Sequence, residues 1–225
     1  MKPILIWLVV AAALVPAILN GQQIDNFLDG YHFHKVVNNR PADDTVEYRG
    51  IEGNPYLMPG FTDALVYLKD SLVVKMPVRY NIYGDVMEYR LDGVEYIIGD
   101  PSILLRIQLG TYTFEYVKAG RKPGYCEVLS PGRCTLYVRR TVRYNPPEGP
   151  KAIECTTKPA SFSSDPVRYF LALPGKEPVE VGSLKAVLNC LSDHRPQLEA
   201  FVAQEKIKGM KRESLAKLIG YYNSL

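Results

Sequence analysis

From Val46 to Tyr144 the chain alternates short β-rich runs with turn signals, and that spacing constrains the fold more than any other feature. Ala64–Lys69, Leu72–Tyr83, Val86–Leu91, Val94–Ile98, Ile103–Ile107, Tyr112–Val117, Tyr125–Leu129 and Cys134–Tyr144 read as strands, rich in Val, Ile, Leu and Tyr. Asp70-Ser71, Gly84-Asp85, Asp92-Gly93, Gly99–Ser102 and Ser130-Pro131-Gly132 punctuate them, and Asp92-Gly93 is the strongest hairpin signal. Connections this short leave no room for crossover helices, so neighbouring strands must run antiparallel. The expected topology is a meander.

Alternation gives that meander a buried face and a wet one. Tyr112, Phe114 and Tyr116 fall on one side of their strand, Thr113 and Glu115 on the other; Met87 and Tyr89 oppose Glu88 and Arg90 in the same way. Six or more twisted strands must curl, close or be covered, which predicts a curled sheet or open barrel. Pro77 marks an edge or bulge within its strand. Asn145–Pro150 is a proline-dense connector, and Val167–Leu173 reads as one further strand.

After Gly182 the period changes. Ser183 suits the cap of a helix to Leu191, in which Leu184, Val187, Leu188 and Leu191 share a face. Pro196 suits the first turn of a second helix to about Lys206, with Leu198, Phe201 and Val202 inward. Leu215, Leu218, Ile219 and Tyr222 repeat the spacing in a third, from Arg212 to Asn223. Helices this short need a partner surface, and the apolar side of the sheet supplies one. The expected class is α+β: a predominantly antiparallel β domain over 22–181, with a C-terminal helical segment over 182–225 packed on it.

Residues 1–21 have another character. Lys2 precedes an apolar run from Ile4 to Val15, and Pro16–Gly21 forms a short exit. That layout is a secretory signal peptide, its apolar core too short for the roughly 20 residues of a spanning helix. No cysteine precedes Cys126, so the reading is of a periplasmic or secreted protein and not a lipoprotein. No later apolar run reaches spanning length. A net charge of +3 gives no basis for a nucleic-acid partner.

No residue pattern calls for a cofactor. His32 and His34 would share one face of a strand, but two imidazoles do not make a metal site. There is no G-x-S-x-G elbow and no phosphate-cradling glycine loop. Asp85 and Glu88 flank a turn, as turn-starting and outward carboxylates commonly do. Cys190 beside Asp193-His194 sits on the apolar side of a helix end, where burial suppresses a thiol. Cys126, Cys134, Cys155 and Cys190 allow three pairings, and Cys126 with Cys134 could link across the Ser130–Gly132 turn if their register shares a face. Lys206, Lys208, Lys211 and Arg212 form an interrupted basic run, either a surface for anionic lipid head groups or an acidic partner, or a solvated linker. Tyr80 and Tyr83, with Tyr96 and Tyr137, are candidates to stack on a sugar or fill a protein interface.

Gly53–Leu57, Val78–Tyr89, Gly124–Leu129 and Leu218–Asn223 resemble the corresponding stretches of a group of exported proteins from Bacteroidota with no assigned activity, whose core reads Arg-Tyr-Asn-Ile-Tyr-x-Asp-x-Met-Glu. The resemblance implies a periplasmic or cell-envelope location in a diderm bacterium and transfers no catalytic residues. The expected function is a non-enzymatic envelope protein that binds a protein partner or an envelope component. A small-ligand carrier in a barrel-like cavity, or a hydrolase of an envelope or external polymer, are the alternatives.

Overall fold

The structure, a computed structural model, describes residues 30, 32–35, 37, 40–41, 48, 50–149 and 157–225. Residues 1–21, read above as a signal peptide, Cys155 and most of the lead-in before Tyr48 lie outside them. The described residues form thirteen strands: β1 (Arg40–Pro41), β2 (Thr62–Leu68), β3 (Val73–Asn81), β4 (Val86–Leu91), β5 (Val94–Ile97), β6 (Leu104–Leu109), β7 (Tyr112–Val117), β8 (Gly124–Ser130), β9 (Thr135–Arg139), β10 (Val142–Asn145), β11 (Ser161–Ser164), β12 (Arg168–Ala172) and β13 (Val179–Val181). Three α-helices follow, α1 (Leu184–Cys190), α2 (Arg195–Gln204) and α3 (Arg212–Ser224). The strands build one 11-stranded sheet in the order β1-β5-β4-β3-β2-β6-β7-β8-β9-β12-β13, with β10 and β11 as a separate two-stranded ribbon. Every ladder is antiparallel. The class is α+β, and the sheet is curled but not closed.

Local chemistry sets the corners. Asp92 and Gly93 both take positive φ, 50° and 80°, the conformation of a type I′ turn, and Leu91 pairs with Val94 across it. The Asp70 carboxylate accepts the Leu72 N–H at 3.1 Å, holding the turn in which Ser71 has φ 75°. Pro77 pairs with Asp63 of β2, while β4 joins β3 only from Val78 onward. The missing N–H therefore falls where β3 outruns its neighbour.

Two expectations fail for visible reasons. Cys134–Tyr144 is not one strand, because the chain leaves the main sheet after Arg139 and re-forms as β10 against β11. Arg139 and Arg140 are anchored to different carboxylates, Asp85 and Glu127, and the Thr141 carbonyl accepts the Asp165 N–H at 3.0 Å, which starts the ribbon. Residues 32–35 are helical and not extended. His32 is exposed while His34 is hydrogen-bonded to the Tyr89 hydroxyl at 2.8 Å, so the two imidazoles do not share a face.

The core lies on one face of the sheet, in two parts. Val66, Val78, Met87, Tyr89, Ile107, Leu109, Phe114 and Tyr125 fill the curl of β2–β8, each 2% exposed or less. Beyond β8, Leu136, Val138, Tyr169, Leu171 and Val181 receive the helices. Ser183 caps α1 by accepting the Ala186 N–H, Pro196 lies in the first turn of α2, and α3 buries the expected Leu215, Leu218, Ile219 and Tyr222. On the reverse face a smaller cluster of Ala119, Cys126, Tyr137 and Phe170 is buried. Among the described residues no helix is long and apolar enough to cross a membrane.

Candidate binding surface

The outer face of β3–β5 carries charge where the inner face carries the core. Register places Arg79 opposite Glu88. The Arg79 guanidinium donates to Glu88 Oε2 through Nε at 2.9 Å and Nη2 at 2.5 Å, and to Glu95 at 3.2 Å. Asn81 donates from Nδ2 to the other Glu88 oxygen at 3.1 Å and to the Tyr48 hydroxyl at 3.2 Å. Glu88 is only 4% exposed, so these donors take the place of the water its carboxylate has lost. Tyr56 and Phe61 close over Arg79 from either side, with ring centroids 4.1 and 4.4 Å from the guanidinium carbon. Arg90 lies on Phe61 as well, at 4.4 Å, and pairs with Glu95. Burial, then the Glu88 charge, pushes the Tyr56 hydroxyl up to about 12, which keeps it neutral at ordinary pH.

Beside this floor stands an aromatic shelf. Tyr48 meets Tyr56, Tyr83 and Phe162 edge-on at centroid distances of 5.8, 6.1 and 5.3 Å, and Phe162 also meets Tyr83 at 5.2 Å and Tyr144 at 5.8 Å. The β10–β11 ribbon delivers Tyr144 and Phe162, and the backbone hydrogen bond from Phe162 N–H to the Glu52 carbonyl at 2.7 Å, part of an isolated bridge, seats it on the 50–57 segment. Only glycine fits at position 53: its φ is +85°, and a Cβ there would stand 2.4 Å from the Phe162 carbonyl oxygen. Tyr83 is 43% exposed and Tyr144 37%, so the shelf ends in two rings that face solvent.

Asp85, at the β3–β4 turn, works on the inner side. Its carboxylate accepts the Tyr80 hydroxyl at 2.8 Å, the Tyr125 N–H at 3.2 Å and Arg139 Nη2 at 3.0 Å. Arg139 also donates to the carbonyls of Ala119 and Lys122 at 2.9 and 2.7 Å. The β3–β4 turn is thereby pinned to β8 and β9, and this pin holds the curl of a sheet whose ladder does not close. Gly124 is part of it, since a Cβ there would come within 2.2 Å of both Arg139 Nη2 and Asp85 Oδ2.

The residues singled out from sequence separate on this map. Tyr83 is on the shelf. Tyr80 is 1% exposed inside the curl, where burial and the Asp85 carboxylate hold its hydroxyl well above the usual phenol range, so it offers nothing to a partner. Tyr137 is buried and donates to Glu115 at 2.5 Å. Cys126 and Cys134 are unbonded and belong to clusters on opposite faces of the sheet, which removes the link across the hairpin. Burial pushes each of their thiols up to about 12, far from nucleophilic use. Lys208 and Lys211 are exposed, but Arg212 has left the basic run to bind the buried Glu127. Asp85 and Glu88 act on opposite sides of the sheet and do not form an acid–base pair. Among the described residues no group of three His, Cys, Asp or Glu side chains is placed to hold a metal ion.

A cavity of about 420 Å³ opens at the β12–β13 edge, lined by Arg168, Glu180 and Met210 among others, away from the shelf. Among the described residues an apolar cluster packs into the curl, where a carrier would hold its ligand. The charged groups of the floor, Arg79, Arg90, Glu88 and Glu95, are engaged in ion pairs with one another. Comparison with family models, with curated proteins and with solved structures found no match.

Proposed function

We propose that this is an exported, non-enzymatic protein of the bacterial cell envelope that binds an envelope component, polymer or protein, on the aromatic shelf. One observation carries the proposal: Tyr83 and Tyr144, 43% and 37% exposed, terminate a fixed aromatic cluster beside the buried Arg79–Glu88 pair. Exposed tyrosines that are already ordered lose little entropy on binding, and each offers an apolar face and a hydroxyl. The exported address rests on residues 1–21 and on the resemblance of the Val78–Tyr89 core to exported Bacteroidota proteins.

The test is capture from a native envelope extract in mild detergent, with cosedimentation on isolated cell-wall material. Wild-type protein should retain a partner. Tyr83→Ala with Tyr144→Ala should weaken retention by about tenfold or more, the scale of one or two aromatic anchors, with an unchanged melting temperature. Recovery of the wild type alone at monomer size would sink the binding role. Export is checked separately by fractionation and by a mature N-terminus near Gln22.

A further inference from the structure

Cys134 and Cys190 lie on elements that side chains draw together. Cys134 begins the approach to β9 and is fully buried; Asn223 Oδ1 accepts its N–H at 2.8 Å, and Asn223 Nδ2 donates to its carbonyl at 2.9 Å. Its neighbour Arg133 donates to Asp193 at 2.9 Å, and the Tyr222 hydroxyl donates to the same carboxylate oxygen at 3.0 Å. Cys190 closes α1, three residues before Asp193, and packs half-buried against the apolar cluster that contains Cys134. The turn before β9, the end of α1 and the end of α3 thus meet at one point, with two free thiols in one cluster. The electrostatic influence of Cys190 adds to burial in raising the Cys134 thiol, as neighbouring thiols do.

We infer that Cys134 and Cys190 close a disulfide when the chain matures in an oxidising compartment, stapling the helices to the sheet. The compartment rests on the exported address proposed above; the pairing rests on the fold alone. Cys126 is on the other face among Ala119, Tyr137 and Phe170 and is no competitor once the sheet has formed. The chemistry is thiol–disulfide exchange with an oxidoreductase disulfide. The half-buried Cys190 gives up its proton and attacks one sulfur of the donor, forming a mixed disulfide and releasing the donor's other thiolate. Cys134, deprotonated in turn, attacks the Cys190 sulfur and expels the donor. One S–S bond replaces another, two protons leave, and two electrons reduce the donor to its dithiol. Burial holds the folded Cys134 thiol up at about 12, so the second exchange takes place as α1 docks and brings the two thiols together, before the site closes over them. The bond closes a long loop and restricts the unfolded chain accordingly.

The full chain is refolded in a glutathione redox buffer, free thiols are alkylated, and the product is mapped without reduction by mass spectrometry. The expected result is a Cys134 peptide joined to a Cys190 peptide, two hydrogens lighter than the free pair, with Cys126 alkylated. Reductant should lower the wild-type melting temperature by several degrees and leave Cys190→Ser unmoved. An alkylated Cys134, or its linkage to Cys126 or Cys155, overturns the pairing, and equal melting temperatures with and without reductant overturn the staple. Because the bond is formed in vitro, failure of the exported address would leave this result standing.

Discussion

Replacing Glu127 with alanine should destabilise the protein by about 3 kcal/mol, the lower end of what removing one partner from a buried ion pair costs. Glu127 is 2% exposed and stands where the curl and the helix-bearing half of the sheet meet, opposite Phe114 on β7 and Val138 on β9. Arg140 Nη2 donates to Oε2 at 2.7 Å, Arg212 Nη1 to the same oxygen at 2.9 Å, and Arg212 Nη2 to Oε1. Hydrogen bonding to Glu127 raises the Arg212 pKa, and a guanidinium is basic enough to stay charged when that partner is removed. Without the carboxylate, two cations face each other against an apolar seam. Their side chains keep 20% and 34% exposure, which sets the estimate at the low end. Urea unfolding of E127A, R212A and the double variant would measure the coupling. A loss for E127A below about 1 kcal/mol would put the triad on the same footing as a surface pair. Replacing all three residues by aliphatics should recover much of the loss, because no charge is then left buried.

Leu218→Ala should cost about 3 kcal/mol, within the range for truncating a buried leucine in a core that relaxes incompletely. Leu215, Leu218 and Ile219 are fully buried and Tyr222 is 2% exposed, while Glu213 and Lys217 face solvent, the latter bonded to Glu205. Deleting residues 213–225 removes the whole stripe together with Asn223, which holds the turn before β9 through the Pro131 and Cys134 carbonyls. The truncated chain should aggregate or melt many degrees lower in calorimetry. A truncation that keeps its melting temperature but loses a captured partner would make α3 a docking element, and one that changes neither would refute the buried stripe.

Periodicity and turn chemistry made most of the sheet and all three helices legible. Val86–Leu91 and Tyr112–Val117 form as expected, residue for residue, because alternation and the flanking turns agree there. Ser161–Ser164 was not legible as a strand: three serines carry no β pattern, and its pairing with β10 is imposed by Phe162 packing on the shelf. Val179–Val181 is too short to show a period. The shelf was legible only at Tyr83. Tyr48, Tyr56, Tyr144 and Phe162 arrive from segments far apart in sequence, and nothing local marks them as neighbours. The Arg79–Glu88 pair could have been found, since the Gly84-Asp85 turn sets the register that places them opposite each other. Tyr80 was misassigned to the surface because an aromatic residue in a β run fits either face, and only the alternation with Val78 and Met76 separates them.

The outermost strands of the described sheet are two and three residues long, Arg40–Pro41 at one side and Val179–Val181 at the other. Pro41 has no N–H to offer, and Pro178 immediately precedes the second edge. A wide unclosed β-sheet ordinarily risks templating its own polymerisation, one molecule adding its edge to the next. Among the described residues neither rim offers a long run of unsatisfied backbone to seed such growth. The same bluntness would leave a partner of the proposed kind little rim of the described main sheet for strand addition, so recognition there would fall to loops and rings.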